Sequence, residues 1–148
     1  MHCSLKSVLI LALCCICFAN AEFFDCSRRE DHAHLKDIKV EQSPDPPIIG
    51  ENVTLTLSGF LDENVTDGEI HITAEYNLEG QWIPLPSFKF PLCDFSSCPV
   101  VEGQVTTSVT IYIPLPTPSG EYRAKMITLD QNRELIYCIL SDVDLETP

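Results

Sequence analysis

Apolar and polar residues alternate over most of this chain. Val53, Leu55 and Leu57 alternate with Thr54, Thr56 and Ser58. Ile70, Ile72, Ala74 and Tyr76 alternate with Glu69, His71, Thr73 and Glu75. Val105, Thr107, Val109, Ile111 and Ile113 alternate with Gln104, Thr106, Ser108, Thr110 and Tyr112. A period of two belongs to a strand with one face covered and the other in water. Weaker runs at Leu35–Glu41, Trp82–Phe90, Tyr122–Leu129 and Leu135–Leu140 bring the expected number to seven. Seven strands in about 115 residues point to an all-β, immunoglobulin-like sandwich of two sheets.

The gaps between these runs carry turn chemistry. Ser43-Pro-Asp-Pro-Pro47 separates the first two runs, and Asp62–Gly68 the next two. Glu79-Gly80 is a hairpin signal, and Pro114–Pro118 followed by Ser119-Gly120 is a stiff corner. Pro84, Pro86 and Pro91 make the run over 82–90 irregular or an edge, because proline cannot donate to a ladder. No internal repeat, low-complexity stretch or linker divides the chain.

Residues 1–21 do not fit this pattern. Lys6, the apolar run Val8–Phe18 and the small-x-small sequence Ala19-Asn20-Ala21 read as a secretory signal peptide. The apolar run is too short for a bilayer, which needs about 20 residues. Residues 22–148 are then a single domain, secreted or delivered to an endosomal or lysosomal lumen. No lipidation or retention signal is visible. The whole chain has a formal charge of −13. Loss of Lys6 with the leader makes the mature charge −14. Such an excess of acids excludes a basic footprint for nucleic acid.

Of the eight cysteines, Cys26, Cys93, Cys98 and Cys138 lie beyond the leader. An even number in an oxidising compartment reads as two disulfides. Three pairings are possible. The favoured one joins Cys93 to Cys98 across a short loop and Cys26 to Cys138 across nearly the whole domain. Zinc at Cys93-x4-Cys98 would need further soft ligands, and Asp94-Phe-Ser-Ser97 supplies none. Asn52-Val-Thr54 and Asn64-Val-Thr66 are glycosylation sequons. Asn64 falls in an expected loop, and Asn52 opens a strand and is expected to be less accessible.

No catalytic constellation emerges, so the chain is not expected to be an enzyme. It has neither a G-x-S-x-G elbow nor an H-E-x-x-H helix motif. His71 falls on the polar face of a strand and is expected to be solvated. His32-x-His34 sets two imidazoles on one side of an extended segment, but nothing nearby completes a metal site. No metal or cofactor is therefore expected. The acids scatter between apolar positions as solvated groups.

A set of short motifs occurs in a defined order. They are Cys26, Ser43-Pro-Asp-Pro-Pro-Ile-Ile-Gly-Glu-Asn52, Pro91-Leu-Cys-Asp94, Cys98-Pro-Val-Val-Glu-Gly103, Ile113-Pro114, Pro118-Ser-Gly-Glu-Tyr122 and Cys138. In this the chain resembles the ML (lipid-recognition) domain family over about residues 24–145. The likeness is greatest to its phosphatidylglycerol/phosphatidylinositol transfer branch. The Niemann-Pick type C lysosomal sterol-binding protein is a cousin. The resemblance implies a two-sheet sandwich with a lipid held in an apolar cavity between the sheets. It also supports the pairings Cys26–Cys138 and Cys93–Cys98. Sterol-binding cousins carry a third disulfide near the second strand. This chain has no cysteine between Cys26 and Cys93, so their ligand preference does not transfer directly. In those cousins the short cysteine loop flanks the cavity mouth, and the matching positions here are Phe95, Pro99 and Val100.

The expected ligand is a phospholipid or sterol, taken up during transient membrane contact by a monomer. Its tails would meet the inward residues Leu55, Leu57, Ile70, Ile72, Phe88, Val105, Val109, Ile111, Tyr122 and Met126. The alternative is a sandwich that recognises a protein, or serves a receptor as co-factor, without transferring lipid.

Overall fold

The computed structural model describes residues 21–27 and 32–148. The signal-peptide assignment therefore lies outside the described residues, apart from Ala21. The described residues form nine strands: β1 (Glu22–Asp25), β2 (Leu35–Ser43), β3 (Asn52–Leu61), β4 (Gly68–Leu78), β5 (Gln81–Pro84), β6 (Phe88–Pro91), β7 (Gly103–Tyr112), β8 (Gly120–Asp130) and β9 (Leu135–Leu145). A short 3-10 turn, Leu92–Asp94, follows β6. Strands β1-β9-β8-β4-β5 form the larger sheet in that order, with β6 also on β4, and β2-β3-β7 form the smaller one. Every strand pairing is antiparallel.

Two strands exceed the seven expected from periodicity, for different reasons. The run over 82–90 is split at Leu85–Ser87. Its halves pair with successive stretches of one edge of β4, β5 with Glu75–Leu78 and β6 with Glu69–Ile72. The prolines that break it also keep it at the sheet edge. Strand β1 was missed because Phe23 and Phe24 are adjacent and break the alternation. It is held to β9 by pairing and by the Cys26–Cys138 disulfide. The second disulfide joins Cys93 to Cys98. At the β4–β5 hairpin, Glu79 and Gly80 both have positive φ, 52° and 85°. That is the backbone a two-residue primed turn requires, and glycine adopts it without strain.

The sandwich is packed most tightly at one end. Leu35, Leu61, Val65, Ile70, Leu92, Ile136, Tyr137 and Ile139 form a buried cluster there. A β-bulge between Thr128 and Leu129 lets Ile136 join the inward residues of β9. Burial also raises the pKa of Tyr137, whose hydroxyl points at the Met126 sulfur, 3.6 Å away. The sign of the linkage is fixed: the folded state holds the phenolic proton more tightly than the unfolded state. Stability from this group is whole below pH ~10 and falls as pH rises toward the folded pKa. Tyr137→Phe should therefore flatten the alkaline limb of the stability profile, read as urea midpoints between pH 8 and 11. An unchanged limb would assign it to other groups.

Both sequon asparagines are exposed. Asn52 is thus more accessible than expected, because it lies at the very start of β3. The Asn64 side-chain oxygen accepts the Glu102 backbone N–H at 2.9 Å.

Candidate functional site

Cross-strand register decides which side chains face the space between the sheets. On β4 these are Ile70, Ile72, Ala74 and Tyr76; opposite them on β8 are Thr128, Met126, Ala124 and Tyr122. On β3 and β7 they are Leu55 and Val109, Leu57 and Thr107, and Gly59 and Val105. Phe88 and Phe90 of β6 pair with Ile72 and Ile70 and point the same way. By register, the ten sequence-assigned tail positions fall on the sides of the two sheets that look toward each other.

Their burial is graded along the strands. Near the closed end the inward residues Leu61, Ile70, Thr128, Tyr137 and Ile139 are buried. Farther along, Leu55, Val109, Tyr122, Ala124, Ser141 and Val143 face the opposite sheet yet remain partly accessible. Ile111 is 43% exposed and Phe88 55%. At the far end Val53 is buried beside Ile111, as are Pro47 and Ile49 on the segment before β3, where the Ile49 N–H donates to the Glu146 carbonyl at 3.0 Å. A filled sandwich buries its inward positions throughout, since interiors pack like organic crystals. Here the inward positions are fully buried at one end and only partly buried beyond it.

A row of small residues deepens this space. Ser141, Ala124 and Ala74 are direct neighbours across β9, β8 and β4. The flanking rows are large: Ile139, Met126 and Ile72 on one side, Val143, Tyr122 and Tyr76 on the other. The result is a trough across the inner face of the larger sheet. Alanine and serine carry no periodicity signal of their own, so this row was not singled out from the sequence.

The far wall of the trough is a tyrosine pair. The Tyr76 and Tyr122 rings lie 4.9 Å apart. Their hydroxyls donate to the carbonyls of Ser119 and Pro118, at 3.1 and 2.7 Å. The rings thus give an apolar surface inward while their polar ends fasten the proline corner before β8. Burial, then the neighbouring Tyr76, raises the Tyr122 pKa.

Two assigned residues take other roles than expected. Ile70 belongs to the closed-end cluster and forms the floor rather than an open wall. Val100 does not stand at an opening: its backbone bridges to Val65, and its side chain packs on the same cluster. The residues beside it in the cysteine loop differ. Phe95 is 40% exposed and meets Phe90 edge-on at 5.6 Å, with Phe88 stacked beyond at 6.2 Å. Pro99 is exposed. Phe88, Phe90 and Phe95 therefore form an aromatic rim along β6 and the cysteine loop.

A hollow of about 980 Å³ against the larger sheet is lined by Phe24, Trp82, Leu85 and Leu140, by Arg123, Lys125, Glu75, Glu121, Asp142 and Asp144, and by Ala74, Tyr122, Ala124, Ser141 and Val143 that alternate with them along the strands. The Arg123 guanidinium lies 3.5 Å over the Trp82 ring and 3.8 Å from Glu75. Covering so many charges with hydrocarbon would strip them of water at a cost of several kcal/mol each, about the scale for a buried ion. The charged outer face of the sheet suits solvent, and the inner trough suits apolar chains.

Comparison with known proteins agrees with this geometry. The family model described as the ML domain matches residues 20–145. A Dictyostelium discoideum protein, provisionally named a phosphatidylglycerol/phosphatidylinositol transfer protein, is 31% identical over 137 residues, 91% of this chain and 94% of its own. A Niemann-Pick type C2 protein from the Japanese carpenter ant superposes with a TM-score of 0.59 at 18% identity, over 84% of this chain and 99% of that one. Chicken MD-1, crystallised with lipid IVa, gives 0.56 at 13% identity, over 84% and 88%. The motif order, the two-sheet sandwich and the match over residues 20–145 lead to one conclusion: the chain belongs to the ML domain family, a family of lipid-binding and transfer proteins and not of enzymes.

Proposed function

We propose that this protein carries a phospholipid of the phosphatidylglycerol or phosphatidylinositol class between membranes, in the extracellular space or an endosomal or lysosomal lumen. The acyl chains lie in the trough between the sheets, and the head group stays at the rim near Phe88 and Phe95. The observation that carries this reading is the incomplete burial of the inward residues beyond the closed end. An empty rigid cavity of ~400 Å³ would cost about 10 kcal/mol at ~24 cal/mol per Å³. That matches the whole stability of a small domain, roughly 5–15 kcal/mol. A lipid tail relieves that cost, and at about 0.8 kcal/mol per buried CH₂ it binds strongly. No covalent step is required. The name of the Dictyostelium relative supports the head-group class.

Native mass spectrometry of the mature protein, followed by lipid extraction, tests the reading. One phospholipid per chain is expected, together with transfer of labelled phosphatidylglycerol between vesicles in the absence of any partner. A lipid-free mass with no uptake would overturn it and favour protein recognition.

Charge adds a prediction. At −14 the mature chain is repelled by anionic bilayers, whose surface potential is about −30 mV. Acidification toward pH 5 makes so acidic a chain less negative and reduces that repulsion. Transfer between anionic vesicles should be faster at pH 5 than at pH 7, and the difference should shrink with neutral vesicles. Equal rates at both pH values would remove charge from the mechanism.

A further inference from the structure

At the closed end, three connections converge on one histidine. His34 precedes β2, Glu63 follows β3, and Asp130 and Glu134 bound the turn between β8 and β9. The His34 Nε2 atom lies 3.2 Å from Glu63 Oε1, 3.4 Å from Glu134 Oε2 and 4.0 Å from Asp130 Oδ2. All four donor atoms fall within 4.8 Å of one another. His34 Nδ1 sits 2.8 Å from Asp62 Oδ1. His32 is exposed and is not in the group, so the two imidazoles of His32-x-His34 do not act together.

The chemistry of this arrangement demands a positive centre. A hydrogen bond to Asp62 puts a proton on Nδ1 and leaves Nε2, in a neutral ring, with a lone pair facing three carboxylate oxygens. The Asp130 side chain is fully buried. Its Oδ1 accepts the backbone N–H groups of Asn132 and Glu134, both at 2.8 Å. Among the described residues its Oδ2 has no hydrogen-bond partner and lies 4.0 Å from His34 Nε2, while Glu63 Oε1 lies 3.2 Å from the same nitrogen. A buried carboxylate oxygen without a partner costs free energy that some ligand should recover. Among the described residues, the cation that reaches the cluster is Lys36, and it contacts Asp62 and the Ala33 carbonyl rather than these oxygens.

The distances point to the ligand. A tetrahedral ion with bonds of about 2.0–2.1 Å has donor–donor edges of roughly 3.3–3.4 Å. Two of the three edges at Nε2 already have that length, and the third needs a shift well under 1 Å. One imidazole with three carboxylates suits zinc or a similar first-row divalent ion better than calcium, which takes oxygen ligands at 2.3–2.6 Å, about 6–8 of them. A carboxylate on the far nitrogen of a ligating histidine is the usual outer partner of such a site.

We propose that His34, Glu63, Asp130 and Glu134 form a binding site for one divalent transition cation of the zinc type, oriented by Asp62, that clamps the closed end of the sandwich. The site is separate from the lipid trough and does not depend on it. Its competitor is a proton. Burial lowers the His34 pKa, but the hydrogen bonds to Asp62 and Glu134 and the charge of Glu63 outweigh it and raise the value.

Calorimetric titration of the mature, chelator-stripped protein with ZnCl2 at pH 7.5 tests the site. One equivalent is expected, with a rise in Tm. Glu134→Gln, at an exposed position, and Asp130→Asn, which keeps the oxygen that caps the turn, should each weaken binding at least tenfold. Asp62→Asn should weaken it by about 10–100-fold. His32→Gln should bind as wild type. Circular dichroism and Tm without metal report whether each variant folds. Absence of saturable binding in the folded wild type, or binding unchanged in Glu134→Gln and Asp130→Asn, would overturn the proposal and leave a protonated His34 as the positive centre.

Discussion

Replacing Cys26 and Cys138 together with serine is expected to lower stability by about 4–5 kcal/mol, and replacing Cys93 and Cys98 by about 2 kcal/mol. The difference follows from loop length. The first bridge closes 112 residues of separation and the second closes 5, and the entropy removed from the unfolded chain grows with the logarithm of that number. The long bridge also holds a weak element. Strand β1 has four residues and sits at the sheet edge, paired only with β9. Beside the bridge, the Ser27 hydroxyl oxygen accepts the Cys138 N–H at 2.9 Å and donates to the Cys138 carbonyl at 3.3 Å. Losing β1 would expose Phe23, which packs on the closed-end core. Urea unfolding of the two double variants measures the contrast. Equal losses would show that local packing, not chain constraint, sets the effect.

Ala124→Phe is expected to reduce lipid transfer by roughly 50-fold while leaving the lipid-free Tm unchanged or raised. The added ring would stand in the trough between Tyr122 and Met126, opposite Ala74. It would occupy the space of several methylenes of a bound tail. Excluding only three of them costs about 2.4 kcal/mol, or roughly 50-fold in affinity. The stability arm is the sharper discriminator. If protein atoms filled this region, a phenylalanine would overpack it and destabilise by about 1–3 kcal/mol. If the trough is open, the ring fills a void. A large fall in Tm with lipid transfer intact would remove the trough from the proposed mechanism. Ala74→Phe, on the neighbouring strand of the same row, should act alike.

These residues also mark what can be read from a sequence. The strands at 53–58, 69–76 and 104–113 were legible because a half-buried sheet writes its two faces in alternate residues. The interrupted edge at 82–90 was legible because proline cannot pair there. The trough was not, since Ala74, Ala124 and Ser141 become a row only through register across three strands. The cluster around His34 was hidden for a related reason. Its members come from three connections up to 100 residues apart, and each alone resembles a solvated loop residue. Local spacing offers only the pair His32 and His34, too few ligands for a metal, whereas His34 finds its neighbours through the fold.

The place of β9 bears on how such a molecule is made. It stands between β1 and β8, so one of the earliest strands of the domain can pair only with the last. A ribosome delivers roughly 5–20 residues per second, amino end first. Strands β2 and β3 and the Cys93–Cys98 loop can form while synthesis proceeds. Cys26 and the aromatic pair Phe23-Phe24 must wait until Cys138 has emerged. During those seconds the larger sheet lacks its second strand, and one thiol has no partner. Delay in the final segment should therefore favour mispairing of Cys26 with Cys93 or Cys98, a species that diagonal electrophoresis of pulse-labelled chains would detect.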